Sequence, residues 1–136
     1  MRKTVHYKIS GLSYVFLKDA PVVHTRFGDA LAVDLSLVER KIAREIVKQG
    51  VPLRGAEVQF LRKCLGFSME KFATRLGLSA PAILKWERAR KKRLEPVNEV
   101  AVRALMVEEL GIKLDGKFSS LIGHEVTPKK VFLKVA

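Results

Sequence analysis

A chain of 136 residues holds one ordinary domain or two small ones sharing a core, which excludes a large multidomain enzyme. Its 48% apolar and 29% charged residues support a real core and exclude wholesale disorder. Lys and Arg outnumber Asp and Glu by 26 to 14, a formal net charge of +12, and such a field draws polyanions: nucleic acid, an acidic membrane or an acidic protein.

The opening VHYKISGL is interrupted by His6, Lys8 and Ser10, so it has no apolar h-region, and no run approaches the roughly 18 apolar residues of a membrane span. Between residues 1 and 33, VHYKI alternates and YVFL and PVV form compact apolar runs, with SG, KDAP and FGD supplying turn chemistry. This predicts a small antiparallel sheet. Ser36-Leu37-Val38-Glu39 then fits a capping box, Leu35, Val38, Ile42 and Ile46 fall at helical spacing, and Gly50 and Pro52 end the helix. From residue 54 the text reads as four helices: GAEVQFLRKCLG, SMEKFATRLG, SAPAILKWERAR and PVNEVAVRALMVEELG. Beyond Gly111, Asp115-Gly116 suggests a turn and VFLKV a strand. The expected class is α+β, with a small α/β part at 1–53, a helical unit at 54–111 and an extension at 112–136. Only VPLR separates the first two, too short for a flexible linker.

The informative stretch runs from Leu61 to Ala89. Ser68 is placed to cap a helix whose Phe72, Ala73 and Leu76 share a face; Gly77 permits a tight turn, and Leu78 is expected to plug the angle between helices. Ser79 caps the next helix. There Ile83 and Trp86 share the buried face, leaving Ala82 and Lys85 outward. Two helices joined through a short glycine-containing turn make a helix-turn-helix. Residues 54–111 resemble the helix-turn-helix domain of the λ repressor, Cro and XRE-type regulators through LRKCLGFSMEKFATRLGLSAPAILKWERA. More loosely, SGLSYVFL, VHTRFGDA and PLRGAEVQFLRK are similar to antitoxin-like regulators of the MqsA and HigA kind; with no CxxC here, the zinc of the MqsA group is not carried over.

The resemblance implies a five-helix DNA-binding fold, an internal Arg62–Glu87 salt bridge, and DNA contacts at Ser68, Met69, Ser79, Ala80, Ala82, Lys85 and Arg88. Departures from the family pattern are Met69, where Gln is usual, and Ala80-Pro81-Ala82, where polar residues are usual. Met and Ala lack the bidentate hydrogen bonding that discriminates bases, so readout is expected to rest on Lys85 and DNA shape. Pro81 fits a first helical turn. Residues 85–93 carry six cations against Glu87 alone, and Arg88, Arg90, Lys91, Lys92 and Arg93 of the loop at 88–93 are expected on phosphates.

Elsewhere the text is plain. His6, His24 and His124 are scattered, Cys64 reads as a buried structural thiol, and no P-loop, G-x-S-x-G or paired carboxylates appear, so no catalytic residue, metal or cofactor is expected. RRM and KH signatures are absent, and no aromatic cluster accompanies the basic run. The expected protein is a cytoplasmic, nucleoid-associated, non-enzymatic repressor of double-stranded DNA. It is expected to homodimerise through Val100, Leu105 and Val107 of the 97–110 helix or through the C-terminal segment. The alternative is an antitoxin that neutralises a toxin partner through its N-terminal part and regulates its own operon.

Overall fold

The computed structural model describes residues 1–8, 11–114 and 126–134. Among these, an N-terminal sheet leads into five helices: β1 (Arg2–His6), β2 (Val15–Thr25), β3 (Gly28–Leu31), α1 (Leu35–Lys48), α2 (Gly55–Cys64), α3 (Met69–Leu76), α4 (Ala80–Arg88), α5 (Pro96–Leu110) and β4 (Val131–Lys134). The class is α+β. No helix among the described residues is long and apolar enough to cross a membrane.

The sheet departs from a purely antiparallel one. β2 pairs antiparallel with β1 and β3, but β4 joins it in parallel, Val15 opposite Val131 and Leu17 opposite Leu133. Parallel pairing needs a long crossover, and the whole helical region intervenes between the two strands. The KDAP segment, expected as a turn, lies inside β2: Asp19 takes a φ of 52° and Lys3 pairs with Ala20 but Val5 with Leu17, so Thr4 faces two residues of β2. That is a bulge, which bends a strand without ending it. Strand alternation then buries Val15, Leu17, Val131 and Leu133 on one face and turns Phe16, Lys18 and Phe132 to the other.

α1 starts earlier than the S-x-x-E pattern predicts. The Asp34 carboxylate accepts from the Ser36 amide at 2.9 Å, so Asp34 is the cap and Ser36 already lies inside the helix. Leu35 is consequently exposed, while Val38, Ile42 and Ile46 are buried against the sheet side and α2. The Asp115-Gly116 turn and His124 lie outside the described residues. One apolar core runs through Leu17, Ile42, Leu61, Phe72, Ile83, Met106 and Leu133, so residues from all three expected segments share it.

Charges are built into that core. Glu57, Glu87, Glu99 and Arg103 are buried. Tyr14 Oη donates to Glu57 Oε2 at 2.9 Å, and Arg54 clasps the same carboxylate through Nε at 2.8 Å and Nη2 at 2.6 Å. Glu99 accepts from the Leu53 amide at 2.6 Å and from Arg93 Nη2 at 2.9 Å. Arg103, four residues along α5, reaches Glu99 at 3.8 Å and donates to the carbonyls of Ile46, Val47 and Val51, which end α1 and follow it. Burial pulls the Arg103 guanidinium below its ordinary pKa, while Glu99 opposes the shift. These groups tie the segment entering β2, the end of α1, α2 and α5 to one another.

Candidate nucleic-acid interface

The geometry at α3 and α4 follows from local chemistry. Ser68 Oγ accepts from the Lys71 amide at 3.1 Å and opens α3; Gly77, at φ 71°, closes it, with the Leu78 amide reaching back to the Ala73 carbonyl at 2.9 Å. A non-glycine residue would be strained at that φ. Ser79 Oγ accepts from the Ala82 amide at 3.4 Å and opens α4, whose first turn tolerates Pro81. Leu78 does not plug the interhelical angle. It is 38% exposed, whereas Phe72, Ala73 and Ile83 of the two helices are buried.

The inner face of α4 is held by a buried ion pair. Arg62 of α2 forks onto Glu87 through Nε at 2.6 Å and Nη2 at 2.9 Å, and its Nη1 donates to the Phe67 carbonyl at 2.8 Å. The carboxylate raises the pKa of Arg62, so the guanidinium stays charged. On the opposite face Pro81, Lys85 and Arg88 follow one another at spacings of four and three and are all exposed, with Ser79 exposed before them. Ala80 and Ala82 are half-buried beside this stripe, and Met69 is half-buried against the core, which leaves little of it for a ligand. Trp86 is also only half-buried. It lines a shallow cleft of about 270 Å³ with Lys85, Lys92, Leu94 and Asn98, so its edge is accessible where a wholly buried ring was expected.

The basic run after α4 is fixed by its backbone. The free amides of Gly55 and Ala56, which open α2, donate to the carbonyls of Lys92 at 3.2 Å and Arg90 at 3.1 Å, and the Leu94 amide donates to Leu53 at 2.8 Å. The approach is so close that a Cβ on Gly55 would collide with the carbonyls of Trp86 and Ala89. This anchoring sorts the cations. Arg93 turns inward to Glu99, and Arg90 donates to Gln59 Oε1 at 2.6 Å, whereas Arg88, Lys91 and Lys92 are exposed. Lys92 stands by Lys85 in the cleft beside Trp86; Lys91 lies on the other side, facing the N-terminal sheet.

Other candidates fall into structural roles. Leu105 is buried in the chain's own core and is removed as a dimer contact, whereas Val100 and Val107 are half-buried and Val97 is 80% exposed. Glu108 and Glu109, at the end of α5, receive Arg75 of α3 and so tie α3 to α5. Cys64 is mostly buried, its Sγ 3.6 Å from the Glu39 carbonyl, and burial pushes its thiol up to about 12. That is the opposite of the shift a reactive thiolate needs. His24 pairs with Asp29 at 3.1 Å, and no group of three or more potential metal ligands occurs among the described residues. Comparison with family models, with curated proteins and with solved structures gives no match.

Proposed function

We propose that the chain is a double-stranded DNA-binding regulator of the helix-turn-helix kind, with α4 as the recognition helix and the 88–93 segment on the phosphate backbone. One observation carries this reading: α4 is locked from behind by Arg62–Glu87, while its outward face leads through exposed Lys85 and Arg88 to exposed Lys92, three cations against the single exposed Glu95 that lines the cleft with Lys85 and Lys92. A rigid rod with a cationic end suits the major groove, whose width of about 12 Å admits a helix. Lys85 and Ser79 are then the side chains for base edges, and Arg88 and Lys92 neutralise phosphates. Arg93 and Arg90 position the segment instead of touching DNA. A module of this size buries little surface, so we propose a homodimer that sets two copies of α4 about 34–36 Å apart and represses by occupancy.

A second reading, an antitoxin that holds a protein partner through its N-terminal part, has one observation in its favour. Phe27, at the tip of the β2–β3 hairpin, is 92% exposed under Arg26, and Val23 further down β2 is exposed too, a surface that the proposed duplex contact leaves unused. Selecting bound sites from a random duplex pool at about 150 mM salt tests the first reading. The expected outcome is an enriched motif with two-fold symmetry, lost on Lys85→Ala. A pool left unenriched, with heparin competing as well as any duplex, overturns it.

A further inference from the structure

The outer face of the sheet carries a feature that duplex binding leaves unused. His6, Phe16 and Phe132 come from three strands, and each is the direct cross-strand partner of the next: His6 opposite Phe16, Phe16 opposite Phe132. Direct partners point to the same face. The His6 and Phe16 rings stack at 4.5 Å with planes 12° apart, and Phe16 lies 5.4 Å from Phe132, which is 43% exposed. His6 is held in place because its Nε2–H donates to the Ser13 carbonyl at 2.6 Å. Cations lie over the rings: Lys18 Nζ sits over Phe132, 4.8 Å from its centre, and Lys130 Nζ over Phe16, 5.3 Å from its centre. None of these residues is acidic.

The row does not end at the sheet. His6 also lines a cleft of about 450 Å³ between the sheet and the segment behind α4, together with Arg54, which Glu57 neutralises, Arg90, which Gln59 holds, and the exposed Lys8 and Lys91. An exposed ring backed by two others, with lysines against it and a cationic trough leading away, matches the chemistry of an unpaired nucleic-acid strand: a base stacks on the ring, and phosphates follow the positive groove. A duplex, whose bases are already stacked on one another, gains nothing from such a row.

We propose that the outer sheet face, from Phe132 through Phe16 to His6 and on into the His6–Lys91 cleft, is a second nucleic-acid site that takes single strands. A base stacks on the exposed Phe132, which Phe16 and His6 back from the neighbouring strands, Lys18 and Lys130 turn from the rings to the adjoining phosphates, and the strand continues past Lys8 to Lys91. This site stands apart from the α4 face, so its fate is independent of the duplex reading.

The test compares two labelled 12-nucleotide strands, oligo-dT and an abasic strand of the same length and charge, by fluorescence anisotropy at about 150 mM salt. The full chain is expected to bind oligo-dT at least about tenfold more tightly than the abasic strand. Phe132→Ala is expected to abolish that ratio and Phe132→Trp to preserve it, both variants remaining folded at the assay temperature by circular dichroism. Lys18→Glu with Lys130→Glu is expected to weaken both strands together while the ratio persists. Lys85→Ala is expected to leave the ratio untouched. Equal affinity for the two strands overturns the proposal, and so does a ratio that survives Phe132→Ala. Binding of a polyglutamate peptide as tight as that of oligo-dT, lost on Phe132→Ala, overturns it in favour of an acidic protein partner.

Discussion

The basic run behind α4 and the buried charges around α5 draw on the same residue types, yet the protein uses them in opposite ways. Arg93 and Arg103 meet Glu99 inside the molecule; Arg88 and Lys92 stand in solvent a few residues away. The difference is set by what each backbone segment is tied to. Hydrogen bonds from Gly55, Ala56 and Leu94 fasten the 90–94 segment to the start of α2, and that register leaves some side chains over the core and others beyond it. A count of positive charge therefore overstates the cations available to a ligand.

The sharpest way to break this contrast is Glu99→Ala. It strands Arg103 in the core and removes the acceptor of the Leu53 amide, and losing one partner of a buried pair costs about 3–5 kcal/mol. Chemical denaturation should show that loss; a change below about 1 kcal/mol would mean the buried network is idle. Glu87→Ala follows, at about 3 kcal/mol, and should be largely recovered in Arg62→Met/Glu87→Leu, because an apolar pair needs no desolvation. If the double variant is no better than the single, the pair is held for geometry that hydrophobes cannot supply. Within the basic run itself, Arg93→Ala should lower stability by about 1–2 kcal/mol and Lys92→Ala by less than about 0.5, although the two are adjacent. Equal losses would erase the inward and outward division.

A smaller effect is expected at alkaline pH. Burial, aided by Glu39, raises the Cys64 thiol from 9.0 to about 12, and burial with Glu57 raises the Tyr14 hydroxyl above its ordinary 10.0. Both groups are kept neutral in the folded chain, whereas the unfolded chain ionises them at their ordinary values. Their contribution to stability is therefore complete below about pH 9 and declines as pH rises beyond it. The melting temperature should fall less between pH 8 and 10.5 in Cys64→Ser/Tyr14→Phe than in the parent. Identical profiles would show that neither group is held neutral. Alkylation of Cys64 at pH 8 should likewise be far slower than that of an exposed thiol.

What the sequence displayed, and what it hid, divides along the same line. The boundaries of α2 to α5 were legible because Ser68, Gly77 and Ser79 act within one turn of their own position. The Arg62–Glu87 pair was legible only through family resemblance. Glu57, Glu99 and Arg103 were not read as core residues, since a carboxylate or guanidinium is buried only when its partner arrives from elsewhere, as Leu53 does for Glu99 across 46 positions. The parallel partner of β2 lies more than a hundred residues downstream, beyond the reach of local periodicity. The same distance conceals the His6, Phe16 and Phe132 row, which the sequence shows as three unrelated rings.

Duplex binding through α4 requires Arg88 and Lys92 to reach phosphate while α4 stays rigid. The most direct measurement is the slope of log affinity against log salt for a duplex, in the parent and in Arg88→Ala/Lys92→Ala. Two lost phosphate contacts should flatten that slope by roughly 1.8, at roughly 0.9 per contact, with the melting temperature unchanged. A folded double variant that keeps the parent's slope would contradict the proposed interface.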